Sequence, residues 1–272
     1  MTSAIVKEFS ELVKTRNGAE EQKTKPHLSP SQIRLFLDCS AKYMFRYIFG
    51  IRVPIRSYFI RGRAIHKGIE HNYRQKIESH EDIGLAEVQE AAAAEFESML
   101  AEAVWDEDED PGKIKDTTIE LVSLYHNEVA PNIQPVTAEQ FFTIDLGEYT
   151  LKGVIDLIDD GGNIRDTKSR GRTPSQREAD ESLQLTAYAM AYRELTGKKE
   201  QSVMLDNLVE LKRGPKYVQL QSQRNEQDIR RFKNIANAVF GAIKGGAFCP
   251  NPNSMMCSEK NCNFWKICHE TF

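Results

Sequence analysis

Residues 151–169, LKGVIDLIDDGGNIRDTKS, decide the fold because they predict a β-hairpin that carries acidic side chains. Residues 151–158 are rich in β-branched and aliphatic types, residues 159–162 are typical of a turn, and residues 163–168 resume an extended pattern. With a three-residue loop at 160–162, in which a glycine can adopt positive φ, Asp156 lies directly opposite Asp166. Side chains alternate along a strand, so Lys168 shares the face of both carboxylates.

This arrangement favours a divalent cation. Two bare carboxylates that face each other repel at neutral pH, and a shared Mg²⁺ or Mn²⁺ converts that repulsion into affinity. The alternative is a solvated hairpin face on which Asp156, Asp166 and Lys168 form only salt bridges.

Composition limits the class of protein. The chain has 272 residues, a net charge of −4, 40% hydrophobic and 28% charged residues, which fits one large globular domain or a domain with a helical lobe. No apolar run is long enough for a membrane span and the start lacks a signal-peptide pattern, so we expect a cytoplasmic protein without membrane association. The negative charge argues against a protein that coats nucleic acid. Residues 42–76 are nevertheless basic and residues 81–110 acidic, as in an enzyme that binds a polyanion and releases it.

The pattern along the chain predicts an α/β fold with a mixed central β-sheet flanked by helices. Residues 1–26 are expected to be a flexible N-terminal arm or a frayed helix. Ser29 and Gln32 form a capping box around Pro30, which predicts a helix that continues to Gly50. The remaining expectations are a helix over 62–77 after a basic, aromatic connector, a helical insert over 78–134, a three-strand meander over 141–168, a helix over 182–195, strands over 202–209 and 217–220, a helix over 226–244, and an irregular Cys-rich tail over 248–272.

Two helices carry candidate ligands for the hairpin site. His66 lies one turn into the second helix, where an imidazole could complete a carboxylate site and bias it toward Mn²⁺, with Glu70 as an acceptor for its ring N–H. The alternative is an ordinary helical histidine. Gln184 and Tyr188 are four residues apart and could hold the phosphate or Lys168, or form only the polar margin of a buried helix.

Four of the five cysteines lie in the tail, and three have the spacing Cys257-x₄-Cys262-x₅-Cys268. Such close spacing without a secretion signal favours a metal or a cluster over disulfides, while reduced thiols in a loose tail are the alternative. A fourth ligand is needed, and both Cys39 and Cys249 are candidates.

Six motifs in order resemble one family along nearly the whole chain: Leu28-Ser29-Pro30-Ser31 with Cys39, Gly62-x₃-His66, Gly153-Val-Ile-Asp156, Asp166-Thr-Lys168, Gln184-x₃-Tyr188 and the cysteine tail. They are similar to the RecB/AddB-type nucleases of the PD-(D/E)XK superfamily, in the small stand-alone form of phage recombination and CRISPR spacer acquisition. The resemblance implies a restriction-endonuclease-like nuclease domain over 27–272. It also implies metal ligation by His66, Asp156, Asp166 and the Thr167 carbonyl, catalytic roles for Lys168, Gln184 and Tyr188, and a [4Fe–4S] cluster on Cys39, Cys257, Cys262 and Cys268.

Two features depart from the family pattern. Cys257-x₄-Cys262 is longer than the usual C-x₂-C, and Cys249 could close a separate Cys₄ site, with zinc, without Cys39. We favour Cys39 because a cluster that includes it would tie the first helix to the tail.

The function expected from the sequence is a metal-dependent DNA exonuclease in recombination, repair or DNA-end processing, acting on single-stranded DNA or on free ends. Recombination or CRISPR-acquisition proteins are the expected partners. Backbone contacts from Arg61, Arg63, Arg170 and Arg172 would carry no sequence information, which suits an exonuclease. The alternatives are a non-catalytic DNA-binding module on a nuclease fold and a structure-specific or site-specific endonuclease.

Overall fold

A computed structural model describes residues 25–272, which form two compact units. The first unit comprises residues up to Val53, Asp145–Leu151 and Ile235–Phe272, and the second comprises Pro54–Ile144 and Lys152–Asn234. Residues 1–24, and with them nearly all of the predicted N-terminal arm, lie outside the described part of the chain.

The strands within residues 25–272 are β1 His27–Leu28, β2 Ile55–Arg56, β3 Ala103–Val104, β4 Pro135–Asp145, β5 Thr150–Asp159, β6 Asn163–Arg170, β7 Ser202–Val209 and β8 Lys216–Ser222. In the second unit β4 pairs with β5, β5 and β6 are antiparallel, β6 and β7 are parallel, and β7 and β8 are antiparallel. Every residue of β7 is buried, as expected of a central strand. The mixed sheet and the β4–β6 meander confirm the predicted fold class.

The β5–β6 hairpin has the predicted register. Leu157 pairs with Arg165 and Ile158 with Ile164, and the loop consists of residues 160–162. Gly162 has φ of +75°, the left-handed conformation that favours glycine in such a loop. The same register places Asp156 opposite Asp166.

The helices within residues 25–272 are α1 Pro30–Asp38, α2 Ser40–Tyr43, α3 Ser57–Ser79, α4 Leu85–Ser98, α5 Pro111–Glu128, α6 Gln176–Asp180, α7 Leu183–Thr196, α8 Glu226–Lys244 and α9 Trp265–Thr271. The predicted capping box is present at α1, where Ser29 Oγ accepts from the Gln32 amide at 3.2 Å and Gln32 Oε1 from the Ser29 amide at 2.7 Å. The helix α7 ends at Gly197, whose φ is +68°.

The prediction of one continuous helix from Ser29 to Gly50 is wrong. Cys39 is extended, with φ −160° and ψ 106°, and it separates α1 from α2, which a single π-helical turn at Met44–Ile48 follows. Apolar periodicity alone does not reveal this break. The predicted connector before residue 62 is also partly wrong, because α3 begins at Ser57 and includes the aromatic residues Tyr58 and Phe59.

The predicted helical insert is present as α4 and α5, which pack on α3 around a glycine. A Cβ at Gly68 would lie 3.0 Å from the Val88 carbonyl oxygen and 3.2 Å from Val122 Cγ1, so the absence of a side chain permits this close packing. Between α4 and α5, the short strand β3 pairs in parallel with β2. That pairing was not predicted.

Three further elements escaped sequence analysis. In the first unit β1 pairs in parallel with the first two residues of β5, and α9 lies in the tail that was predicted to be irregular. In the second unit α6 precedes α7 and has a capping box of its own. Among the described helices, none is both long and apolar enough to cross a membrane.

Candidate active site and thiol cavity

The β5–β6 hairpin brings two carboxylates and a lysine together in the second unit. Lys168 Nζ lies 2.9 Å from Oδ1 and 2.8 Å from Oδ2 of Asp166, whose side chain is fully buried. On the opposite strand Asp156 Oδ2 accepts the Thr167 amide at 3.0 Å. This backbone hydrogen bond fixes the Asp156 carboxylate beside the chain of β6, where the pairing of the hairpin placed it.

His66 on α3 approaches the hairpin from the helical layer. Its Nε2 lies 3.0 Å from the Thr167 carbonyl oxygen, and its Nδ1 lies 3.5 Å from Asp156 Oδ2. The carbonyl, rather than Glu70, therefore orients the ring. Glu70 instead accepts from Arg74 at 2.6 Å and from Lys67 at 3.2 Å, so the expectation that Glu70 supports His66 does not match the geometry.

Glu139 is a further acidic residue at the site, and sequence analysis missed it. Its Oε1 lies 3.8 Å from His66 Nδ1. Glu139 has φ of +53° in the middle of β4, a conformation that is rare for a residue with a side chain and typical of a bulge that re-aims one. A single glutamate in an extended segment does not reveal, from the sequence, that its side chain belongs to a site.

We refer to His66, Glu139, Asp156, Asp166 and Lys168 as the carboxylate site. One ligand atom each from His66, Glu139 and Asp156 lies within 4.8 Å of the others, which is close enough to surround one cation. Asp166 Oδ2 is buried and receives no well-directed hydrogen bond from the described residues. Carboxylates with one imidazole suit Mg²⁺ or Mn²⁺, so the residues fit a divalent cation.

The charged groups of the carboxylate site shift one another's pKa values. Burial alone lowers the pKa of His66, but the carboxylates of Asp156 and the nearby Glu139 outweigh it and raise that pKa to about 9. Burial and the charge of Asp156 raise the pKa of Asp166 to about 6, although Lys168 and His66 oppose the shift. Protons and the Lys168 ammonium thus balance the negative charge of these carboxylates.

Gln184 and Tyr188 on α7 support Asp166. Gln184 Nε2 donates to Asp166 Oδ1 at 2.9 Å and to the Tyr188 hydroxyl oxygen at 2.7 Å. Burial and the carboxylates of Asp156 and Asp166 raise the pKa of Tyr188, so its phenol keeps its proton. The amide therefore links the phenol to the acid and fixes the Asp166 side chain.

A glycine in β5 creates space beneath this region. A Cβ at Gly153 would lie 2.6 Å from Cζ of Phe142, whose ring packs edge-on against Tyr188 at a centroid distance of 6.1 Å. Any side chain at Gly153 would displace this ring pair. This contact gives a physical reason for the glycine three residues before Asp156.

The arginines expected to contact DNA have mixed environments. Arg61 pairs with Glu210 at 2.6 Å, Arg63 with Glu95 at 2.9 Å and Arg170 with Glu178 at 2.7 Å. Arg172 is exposed in the loop that follows β6. Contact with phosphate by the first three would therefore compete with existing ion pairs.

In the first unit four cysteines line one cavity of about 320 Å³, which we call the thiol cavity: Cys39, Cys257, Cys262 and Cys268. Burial, followed by the neighbouring thiols of the other three, raises the pKa of Cys268. Cys249 is exposed and does not line the cavity, and its amide donates to Ser40 Oγ at 2.9 Å. The cavity wall is otherwise largely apolar, with Phe45, Phe264 and Trp265 among its residues.

The spacing of the sulfur atoms bears on what the thiol cavity could hold. Tetrahedral zinc with Zn–S bonds of about 2.3 Å brings its sulfur ligands to about 3.8 Å from one another. Among the described residues, no three cysteines have their sulfur atoms all within 4.8 Å of one another. Four thiols that line one cavity without such a trio fit a polynuclear cluster better than a single ion.

Comparison with known proteins is consistent with this architecture. A family model described as the PD-(D/E)XK nuclease superfamily matches residues 27–269. No curated protein matches the chain. A Eubacterium rectale protein of known structure, described provisionally as an exonuclease, aligns with a TM-score of 0.57 and 12% identity over 90% of this chain and 88% of its own. The solved structure of SSO0001 aligns over 98% of both chains at 12% identity, but its TM-score of 0.38 is too low to support an argument.

Proposed function

Because the chain belongs to the PD-(D/E)XK nuclease superfamily, we propose that it is a divalent-metal-dependent DNA exonuclease that processes DNA ends in recombination or repair. The observation that carries the proposal is the convergence of His66, Glu139 and Asp156 ligand atoms within 4.8 Å, beside the Lys168–Asp166 pair. A cation site and a fixed positive group next to each other are what metal-dependent hydrolysis of a phosphodiester uses.

His66, Asp156 and Glu139 would hold the cation, and Asp166 and the Thr167 carbonyl are the further ligands expected from the resemblance. When bound, a divalent cation polarises the scissile phosphate and lowers the pKa of a water nucleophile. His66 Nε2 already faces the Thr167 carbonyl at 3.0 Å. Because Nδ1 already faces Asp156 at 3.5 Å, ligation of the cation by the Thr167 carbonyl would require that oxygen to leave its contact with Nε2.

Lys168 is the residue proposed to act on the reacting atoms. Its ammonium, held 2.8–2.9 Å from Asp166, would orient the attacking water or stabilise the charge that develops on the phosphate. Gln184 restrains Asp166 by its 2.9 Å hydrogen bond, and Tyr188 restrains Gln184. Positioning of this kind is effective because the acid, the amide and the phenol lie on β6 and α7, which are rigid elements.

The thiol cavity is proposed to hold a [4Fe–4S] cluster on Cys39, Cys257, Cys262 and Cys268. Two observations support this assignment over zinc: among the described residues no three of these sulfur atoms lie within 4.8 Å of one another, and Cys249 lies outside the cavity. An absorption spectrum of anaerobically purified protein tests it, because a cluster gives a broad visible band near ~400 nm and zinc gives none. Such a cluster would place the protein with the RecB/AddB-like nucleases and their recombination or CRISPR-acquisition partners.

Digestion of linear and of closed circular DNA, with Mn²⁺, with Mg²⁺ and with a chelator, tests the activity. We expect linear DNA to disappear only when divalent metal is present, and closed circles to persist. Digestion that continues in the chelator, or undiminished digestion by Asp166→Ala, would contradict the proposal.

The same assay separates the alternatives. Binding of DNA without digestion under any metal condition would identify a non-catalytic binding module. Discrete cuts in closed circular DNA would identify an endonuclease. The intact set of Asp156, Asp166 and Lys168 favours catalysis over a decayed fold.

A further inference from the structure

Two exposed aromatic rings lie side by side at the start of α3, in the second unit. Tyr58 is 53% exposed and Phe59 47% exposed, and their ring centroids are 4.7 Å apart. Large aromatic side chains that contact each other at the surface, beside a candidate active site, are typical of binding surfaces. The roles assigned above to the carboxylate site make no use of these rings.

The helix connects this aromatic pair to the carboxylate site. Phe59 and His66 are seven residues apart on α3, so they lie on nearly the same face and are separated by about 10.5 Å along the axis. Gly62 lies between them on that face. An added Cβ there would meet nothing within 4 Å among the described residues, so the surface between ring and imidazole is open.

The charged residues around Tyr58 and Phe59 bear on which ligand these rings could bind. Arg61 and Arg63, which flank this face, are already paired with Glu210 and Glu95. Arg56, before the helix, pairs with Asp106 at 2.7 Å. Duplex DNA hides its bases and is held mainly by phosphate contacts, which these neutralised guanidinium groups supply poorly. A single strand offers unpaired bases that stack on exposed rings, and each stacked base contributes to binding without a phosphate contact.

We propose that Tyr58 and Phe59 form a base-stacking platform for single-stranded DNA that leads to the carboxylate site. This proposal rests on the proposed nuclease function and specifies its substrate as an unpaired strand. Stacked nucleotides rise about 3.4 Å each, so the distance from Phe59 to His66 corresponds to about three nucleotides. Strands shorter than this would reach the cation without touching the platform.

Binding of a fluorescent oligothymidylate, measured by anisotropy in Ca²⁺ so that the strand is not consumed, tests the platform directly. We expect Phe59→Ala and Tyr58→Ala each to weaken binding about tenfold, the usual effect of losing one stacked base. Phe59→Trp should bind as tightly as wild type. Phe59→Leu should lose as much as Phe59→Ala, because leucine keeps apolar area but offers no π-face. Phe141→Ala is the matched control, since Phe141 is 57% exposed on β4.

Salt dependence provides a second readout. Stacking releases few counterions, so the slope of log affinity against log salt should stay the same in Phe59→Ala and decrease only when a phosphate-contacting arginine is removed. Hydrolysis of bis(p-nitrophenyl) phosphate in Mn²⁺, a substrate too short to reach the platform, should be unchanged in all Tyr58 and Phe59 variants.

The outcomes separate the two proposals. Wild-type oligothymidylate affinity in both Phe59→Ala and Tyr58→Ala would overturn the platform and leave the rings as a protein-docking surface. A lowered salt slope in Phe59→Ala would also overturn it, in favour of a phosphate contact. If the wild-type protein bound the oligonucleotide through these rings but hydrolysed neither substrate with metal, the nuclease function would fail while the platform stood. Because both rings are exposed, circular dichroism should show unchanged folding in every variant.

Discussion

The carboxylate site and the thiol cavity are both clusters of metal-binding side chains, yet they differ in how closely their ligand atoms approach. At the carboxylate site three ligand atoms converge within 4.8 Å, whereas the thiols line a cavity of about 320 Å³ without such convergence. Hard oxygen ligands with one imidazole suit a single Mg²⁺ or Mn²⁺ ion, and soft thiol ligands around a cavity suit a larger iron–sulphur group. The spacing of the ligand atoms in each cluster therefore indicates whether a single ion or a larger metal group would fit.

The two clusters also differ in how the chain assembles them. Asp156 and Asp166 belong to one hairpin, so local β-pairing creates most of the carboxylate site. Cys39 lies more than two hundred residues before Cys262 and Cys268, so only the tertiary fold brings these thiols together. A group bound across that distance would close a very long loop, and we expect it to contribute much more to stability than the cation at the carboxylate site.

The largest expected effect is on the stability conferred through the thiol cavity. Cys39→Ser should remove the visible band near ~400 nm and lower the free energy of unfolding by up to about 5 kcal/mol, the chain entropy of the long loop. Anaerobic urea denaturation together with absorption measures both. Cys249→Ser is the control, because Cys249 is exposed and outside the cavity. If instead the Cys249 variant lost the band and the Cys39 variant kept it, the ligand assignment would be reversed.

The next effect concerns chemistry at the carboxylate site. Lys168→Ala should reduce Mn²⁺-dependent digestion of linear DNA by about 10²–10³-fold, the usual effect of removing one group that stabilises transition-state charge. Folding, and the visible band, should be unaffected. Lys198→Ala, which removes an exposed lysine beyond α7, should digest DNA at the wild-type rate. Equal rates for both variants would exclude Lys168 from the reaction.

The positions of Asp156, Asp166 and Lys168 could be predicted from the sequence because they depend only on one hairpin. The turn residues at 160–162 and the alternation of β5 and β6 were enough to fix the pairing of Leu157 with Arg165. The strand β7 and the helix α8 were also predicted with their observed bounds, since both have strong periodicity. Motif order across the chain then indicated the superfamily that the family model supports.

What escaped the sequence depends on tertiary context. Cys39 is extended between two helices, although the residues on both sides favour one continuous helix. Glu139, which lies 3.8 Å from His66, has a φ of +53° within β4, and its sequence neighbours do not predict that conformation. The short strand β3 forms only because α4 and α5 bring it to β2. Each of these features is imposed by contacts between elements distant in sequence.

A smaller effect is expected from Glu139, which tests whether the three converging ligand atoms of the carboxylate site hold one cation. Glu139→Gln keeps the size of the side chain but replaces one of the two carboxylates in the trio with a neutral amide, so Mn²⁺ affinity should fall about 10–100-fold. Electron paramagnetic resonance of free Mn²⁺ measures this affinity without turnover. The neighbouring change Gln140→Glu adds a charge just outside the trio and serves as the control. Unchanged affinity in Glu139→Gln would show that the cation is held by His66 and Asp156 with other ligands.

The smallest effect expected is a dependence of cation binding on pH. The pKa of His66 is raised to about 9 in the cation-free site, so at pH 7 its imidazole carries a proton that must leave before a nitrogen can bind metal. Apparent Mn²⁺ affinity should therefore rise with pH, by up to about tenfold per unit below pH 9. Calorimetry in two buffers with different ionisation enthalpies should count about one proton released per Mn²⁺ at pH 7, and none in His66→Gln. The free energy of unfolding should also depend on pH. Because the pKa of His66 is raised on folding, its proton stabilises the folded protein below pH 6.5, and this contribution is lost as the pH rises through about 9. Proton release that persisted in His66→Gln would assign the proton to another group, with Asp166, whose pKa is about 6, as the first candidate.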